Sequence, residues 1–158
     1  MNIIPTLEGG LRIDLEEPID WVIFRHLIDD ACQREGSLAE DLGEGIEDPE
    51  IQNDWLEFVM PDLEEEFASS LKRVSDVLAK AAKEQEDGTV SLWITRDLGF
   101  DWYSSFNQAR ISLGTRYQFE ETKKEEIAMD TNPSKRSAYY RYHFYGMVQV
   151  QLLKHVLK

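Results

Sequence analysis

The residues with the most chemical content lie in the run Asn107-Gln-Ala-Arg-Ile-Ser-Leu-Gly-Thr-Arg116. At about 100° per residue, Tyr103, Asn107, Arg110 and Gly114 fall within about 60° of one another on a helix, beside an apolar stripe. An arginine and an asparagine on a half-buried face can hold a carboxylate or phosphate through charge-assisted hydrogen bonds. With Arg116 they make the candidate ligand or partner site. A guanidinium in that place equally serves structure, fixing helix register against a carboxylate. Asp54 or Glu57, from an earlier helix, would then complete a bidentate pair. In a ligand-binding or hydrolytic site the same carboxylate would act as base.

Other constellations carry less. His26, Asp29 and Asp30 share a helix face and could begin a metal site with His143 or His155. No Glu-x-x-His pair or Cys/His cluster accompanies them, so ordinary hydrogen bonding and no bound metal is the expectation. Asp62, Glu64, Glu65 and Glu66 point in several directions around a helix and read as a solvated first turn rather than an acid/base pair. Ser104-Ser105 has no histidine near it in sequence, and there is no nucleophile elbow or phosphate-cradling glycine loop. No catalytic residue and no cofactor is therefore assigned. The run Tyr139 to Tyr145, with Lys135, Arg136 and Arg141, resembles a stacking platform for single-stranded nucleic acid. The acidity of the rest of the chain opposes that, and packing in the core or at a dimer interface is the expected use.

That acidity is uneven. The net charge is −14 over 158 residues, but residues 1–66 hold 20 acidic and 3 basic side chains, while residues 67–158 hold 11 and 14. After Asp130 there are five Lys or Arg and no acid. Such a molecule repels nucleic acid and anionic membrane from most directions and suits a protein partner with a basic patch. The alternative is a solvated acidic surface kept for solubility. A hydrophobic fraction of 42% with four Trp excludes disorder for most of the length. The size gives one domain with a folded surface of roughly 8,000 Å². Cys32 alone forms no internal disulfide, no apolar run approaches membrane-spanning length, and the N-terminus lacks a secretory pattern. A cytoplasmic location follows.

The elements that must position these residues are mostly helical. Leu11 to Leu15 and Thr89 to Ile94 alternate as strands and pair as a two-stranded ribbon, the second beginning after an Asp87-Gly88 stop. Helix one starts at Pro18 and buries Trp21, Phe24, Leu27, Ile28 and Ala31, with Gly36 ending the pattern. One turn is expected at Ser37 to Leu42. Asp48-Pro49 opens a long helix whose apolar set, from Ile51 through Trp55, Val59 and Val74 to Ala81, keeps phase through Pro61. It is read as kinked near Met60, the alternative being a break with a new helix opened by Pro61, and Gly88 as its C-cap. Thr95 caps a helix burying Leu98, Trp102, Phe106, Ala109 and Leu113. Residues 118–134 read as a mobile loop, and the last helix, about Lys135 to Leu157, as either the central helix or an oligomer interface. The predicted fold is mainly α: a single-domain bundle of about four helices, one kinked near Pro61, with the small ribbon.

The pattern of early strand and helix, acidic middle helix, Trp102, Asn107, Arg110, Leu113-Gly114-Thr115-Arg116 and a Tyr-rich helix with Gly146 and Gln149 resembles an uncharacterised bacterial family. That family is a domain of unknown function best known in actinobacteria, where its gene often lies beside that of the ClpS protease adaptor. The resemblance implies a link to Clp-type regulated proteolysis. Together these readings predict a non-enzymatic protein-interaction module with a Clp adaptor or chaperone as partner. Self-association would run through the C-terminal helix. A small anion-ligand-binding or hydrolytic domain using the Asn107/Arg110 face is the alternative.

Overall fold

A computed structural model describes residues 1–85 and 89–158. The Asp87-Gly88 stop and the Gly88 cap lie outside the described residues. Chain order is β1 (Asn2–Pro5), β2 (Leu11–Leu15), α1 (Pro18–Arg25), α2 (Leu27–Cys32), α3 (Leu38–Glu44) and α4 (Pro49–Asp54). A π-helical turn at Trp55–Val59 leads into α5 (Met60–Glu84), followed by β3 (Val90–Ile94), a 3-10 turn at Arg96–Leu98, α6 (Gly99–Tyr117), α7 (Lys124–Met129) and α8 (Pro133–His155).

The expected ribbon is present and has a third strand. β2 pairs antiparallel with β3, Leu11 opposite Ile94, and on its other edge with β1, Ile3 opposite Ile13. Leu11, Ile13, Leu15, Leu92 and Ile94 are buried on one face, the period-two pattern of a half-buried sheet. β1 escapes a pattern reading because it is four residues long and ends in Pro5. It exists because the turn after it is tightly specified. The Gly10 N–H donates to Thr6 Oγ1 at 2.9 Å, Gly9 has φ +80°, and a side chain on Gly10 would strike the Ile94 carbonyl at 2.5 Å.

Mainly α holds, but the bundle differs from four helices around a common axis. The predicted first helix comes in two pieces that meet at His26 and stop at Cys32, ahead of Gly36. α1 opens as expected with Pro18 at its start, Asp20 accepting from the Glu16 and Glu17 backbone. Ser37 caps α3. Asp48 caps α4 through the Glu50 and Ile51 amides. From Pro49 the chain stays helical to Glu84. Pro61 has no N–H and crowds the preceding turn, and the π turn just before it, where the Met60 N–H reaches back to the Trp55 carbonyl, widens the helix to pass it. The break is not seen. Thr95 makes no side-chain cap, and the next helix starts through the 3-10 turn. Within 118–134 lies α7, held by buried Ile127, with buried Phe119 before it.

The central helix is α6 rather than α8. It packs against α2, α5 and α8 and buries Trp102, Phe106, Ala109 and Leu113 from the predicted stripe. α8 buries Tyr139, Tyr145, Val148 and Leu152 but leaves Tyr140, Met147, Val150 and Leu153 exposed. Phe24, Trp102, Phe106 and Tyr145 form the aromatic centre, with ring centroids 5.5–6.4 Å apart. The accessible surface, 9906 Å², is about a quarter above the size expectation. The excess fits the stretch from Glu44 to Ser69, in which no residue is fully buried.

Two ion pairs pin the surrounding helices. Arg141 of α8 meets buried Asp30 of α2 through Nε at 2.6 Å and Nη2 at 2.9 Å, and the Tyr145 hydroxyl donates to the same carboxylate at 2.9 Å. Burial and the neighbouring Asp30 push the Tyr145 phenol far above its ordinary value, so it stays a donor. Arg73 and Ser70 of α5 hold Asp101 of α6 at 2.6–2.9 Å. Burial opposes ionisation of Asp101, but the bonds from Arg73 and Ser70 outweigh it and leave its pKa below the ordinary 3.8.

Replacing Asp30 by Asn leaves the Arg141 charge half-buried and unmatched, and should cost about 3–5 kcal/mol in urea denaturation. Because folding lowers the Asp101 pKa, the stability of its pair is present above 3.8 and is lost as pH falls below that value. Asp101→Asn should therefore flatten the fall of the urea midpoint between about pH 5 and pH 3.

Candidate functional site

Helix α6 turns two polar faces in opposite directions. Asp101 and Gln108 look toward α5, the Gln108 amide donating to the Phe67 carbonyl at 3.2 Å. Arg110, two residues beyond Gln108 and so about 200° around the helix, looks toward α8. The predicted clustering holds on that side. Arg110 Nη1 donates to Gln149 Oε1 at 2.8 Å, and Gln149 Nε2 donates to the Tyr103 carbonyl at 3.3 Å. The Arg110 guanidinium lies 5.0 Å from the Tyr142 ring centre, a cation–π contact. Two glycines make the room. A Cβ on Gly146 would sit 3.1 Å from Arg110 Cζ and Nε, and one on Gly114 would sit 3.3 Å from Tyr142 Cε2.

Asp54 and Glu57 do not pair with Arg110. They are exposed near the start of the long helical run, which meets α6 only farther on, from Phe67 to Asp101's partners Ser70 and Arg73. That contact is on the side of α6 away from Arg110. Bidentate arginine–carboxylate pairs lie elsewhere, at Arg141–Asp30 and Arg73–Asp101, which the sequence reading did not single out. Arg110 has a neutral partner instead, and its Nε is buried without a hydrogen-bond partner among the described residues.

Asn107, Arg110, Gly114, Thr115, Gln118 and Tyr142 line a cleft of about 430 Å³, with Glu120 and Glu121 also in its wall. Arg116 points to a neighbouring cleft of about 620 Å³, shared with Gln33, Arg34, Ser112 and Thr115. There Arg116 donates to Gln33 Oε1 at 2.6 Å and to the Gln33 carbonyl, which also accepts from Ser112 Oγ at 3.2 Å. Gln118, with φ 56°, ends α6 in the left-handed region and turns the chain beside the first cleft. Tyr103 contributes its carbonyl to the seam and does not line either cleft.

Sequence reasoning missed Arg34, Gln33, Ser112, Thr115 and Tyr142 as site residues. Thr115 sits inside the Leu-Gly-Thr-Arg block and Ser112 immediately before it, so proximity in sequence was a usable signal for those two. Gln33 and Arg34 come from the loop after α2 and carried none.

A family model described as "Domain of unknown function (DUF2017)" matches residues 8–156. The chain belongs to that family. The seam between α6 and α8 therefore lies wholly inside the DUF2017 span. No curated protein and no solved structure matches the chain.

The other candidates disperse. Asp30 is taken by Arg141 and Tyr145, while His26 and Asp29 are exposed. Among the described residues no three His, Cys, Asp or Glu side chains gather to hold a metal. Asp62, Glu64, Glu65 and Glu66 are all exposed. Ser104 and Ser105 are buried in α6. Tyr139 and Tyr145 are core residues, and Tyr140 alone of the Tyr run is well exposed. His143 rests against Tyr139 and Tyr142, its pKa lowered by partial burial and then by Arg110 and Lys124. No described helix is long and apolar enough to cross a membrane.

The Gln149 amide both accepts from Arg110 and donates to Tyr103, so Gln149→Leu removes both bonds and leaves a half-buried charge. The expected cost is about 1.5–3 kcal/mol in urea denaturation, with a smaller loss for Gln149→Glu, which keeps an acceptor for Arg110 but gives up the bond to the Tyr103 carbonyl.

Proposed function

We propose that this chain is a non-enzymatic protein-interaction module of the bacterial cytoplasm whose acidic N-terminal half docks the basic, amphipathic helix of a partner. On the resemblance stated above, that partner is a Clp adaptor or chaperone in regulated proteolysis. One observation supports the docking most directly. In the stretch with no buried residue, Ile51 (57% exposed), Leu56, Phe58 (62%) and Val59 turn apolar side chains to solvent across α4 and the π turn. No Lys, Arg or His occurs between Arg34 and Lys72, while Glu47, Asp48, Glu50, Asp54, Glu57 and Asp62 flank the strip. An apolar centre with a rim of one sign fits a surface with an apolar centre and the opposite rim, and it repels acidic partners.

A second reading is favoured by a separate observation: Arg110 lines a cleft and meets no carboxylate among the described residues. This supports an anion-binding site on the Asn107/Arg110 face. Asp54 and Glu57, the carboxylates considered as base, are outside the cleft.

The interaction reading is tested by capture from the host lysate with tagged chain at about 50 mM and 500 mM salt, with the bound segment located by cross-linking. A Clp adaptor or chaperone, cross-linked to the Ile51–Val59 strip, lost at high salt and lost with Phe58→Asp but kept with Arg110→Ala, is the expected result. Phe58 is exposed, so the variant should hold stability within about 0.5 kcal/mol. Capture that ignores salt or survives Phe58→Asp would overturn the docking surface.

A further inference from the structure

The acidic strip at Ile51 to Val59 has its chemical complement on the same chain. Helix α8 leaves Tyr140, Met147 and Val150 exposed, and at about 100° per residue they fall with exposed Arg136, His143 and Lys154 within about 80° of one another. This stripe lies roughly opposite the buried Tyr145 and Leu152 and so turns away from the core. Arg136 and Lys154 stand at its two ends, and α8 contains no acid. Beside the stripe, Phe144, Met147 and Gln151 wall a hollow of about 480 Å³ with Met1 and Ile3. The Met1 amine pairs with Glu16 and Asp20, which places acids on the β1 side of that hollow.

Size and charge match the two surfaces. The apolar centre of the stripe, Tyr140 to Val150, is about 15 Å long, and the strip Ile51 to Val59 is about 12 Å. Each carries charge at both ends: Arg136 and Lys154 on α8, Glu47, Asp48 and Glu50 before the strip and Asp62 after it. Within one chain neither surface covers the other, since both are exposed. Between two chains, strip on stripe lays apolar centre on apolar centre and acids on cations. Strip on strip, or stripe on stripe, sets like charges together. A second copy is therefore an occupant of the chemistry that the strip selects. Phe58, the exposed ring of the strip, is the anchor for the hollow, and the acids on the β1 side direct the rim of the strip toward α8.

We propose that copies of this chain associate head to tail, the Ile51 to Val59 strip of one lying along the exposed face of α8 of the next, with Phe58 in the hollow beside Met147. This rests on the docking reading of the strip and names a second copy as its occupant when no other partner is bound. The contact is heterologous, so an open pair keeps one free strip and one free α8 and either grows or closes into a ring. A partner helix that takes the strip must displace α8, and self-association and partner capture compete.

The test is analytical ultracentrifugation of the full chain from about 10 to about 500 µM, at about 150 mM salt to screen the net charge of −14. The wild type is expected to grow beyond a monomer with concentration, while Phe58→Asp and Val150→Glu each stay monomeric. Mixed in equal amounts, the two variants are expected to form a heterodimer, because one keeps its α8 face and the other its strip. Both substituted side chains are exposed, and Ile51→Asp with Lys154→Glu repeats the mixing experiment if either first variant fails to fold. Growth of Phe58→Asp like the wild type would remove the strip from the contact, and growth of Val150→Glu would remove α8; either overturns the proposal, as does a mixture of folded variants that stays monomeric. A wild type that is monomeric throughout, with lysate capture still lost in Phe58→Asp, would overturn self-association and keep the docking reading. A monomeric wild type whose capture survives Phe58→Asp would overturn both.

Discussion

A carboxylate that is only 3% exposed has lost its water and must be given donors in their place. Asp30 receives three: two from Arg141 and one from Tyr145, whose hydroxyl also lies 3.0 Å from the Ile23 carbonyl. This cluster joins the short helices at the front of the chain to the long helix at its end, 111 residues later. Its position fixes more than the two helices it joins. With α8 anchored to α2 at Arg141, the turns that follow present Gly146 and Gln149 to α6, and Arg110 can lie against the helix backbone only because residue 146 has no side chain. The cleft between α6 and α8, walled by Tyr142, depends on that registry. The Asp101 cluster does the same on the opposite side, so α6 is held between two sets of charge-assisted bonds of low geometric tolerance.

The part of the molecule outside this clamp obeys a different rule. From Glu44 to Ser69 the chain contributes nothing fully buried to the core, and few bonds tie it to the rest: Trp55 packs on Gly43 and donates to the Ala39 carbonyl at 3.3 Å, and farther on the Phe67 carbonyl accepts from Gln108 at 3.2 Å. A helix normally burns its apolar face in the core to offset the entropy of ordering. Here that face is only half-buried from Leu63 to Phe67 and open at Ile51, Phe58 and Val59. The π turn adds one residue and shifts the phase of everything before it relative to α5, which carries the early apolar positions off the line of Val74, Leu78 and Ala81.

That phase shift explains one limit on what the sequence reveals. Apolar periodicity read correctly where tertiary packing continues the helix, as in α6 with Trp102, Phe106, Ala109 and Leu113, and it located β2 and β3 by alternation. It assigned Ile51 and Val59 to the core because a constant 100° step was assumed through Pro61. β1 and α7 were invisible for another reason: each is too short to show a period. The break at His26 leaves the apolar spacing on either side intact, so the stripe Trp21 to Ala31 was legible and the break was not.

The site shows the same division between what lies on one helix and what two helices must share. Tyr103, Asn107, Arg110 and Gly114 are grouped by the geometry of one helix, and the structure keeps them together at the α8 seam. Their partner was a question about another element, and electrostatic reasoning alone favoured a carboxylate. The acidic half of the chain supplies many carboxylates, yet their helix runs along the far side of α6, and the near side is α8, which has no acid after Asp130. Arg110 therefore meets an amide and an aromatic face, groups that orient a guanidinium without neutralising it. Segregation of the acids onto other elements leaves Arg110 without an ion-pair partner among the described residues. The uneven charge that first suggested a docking face is also what leaves the arginines of α6 unmatched.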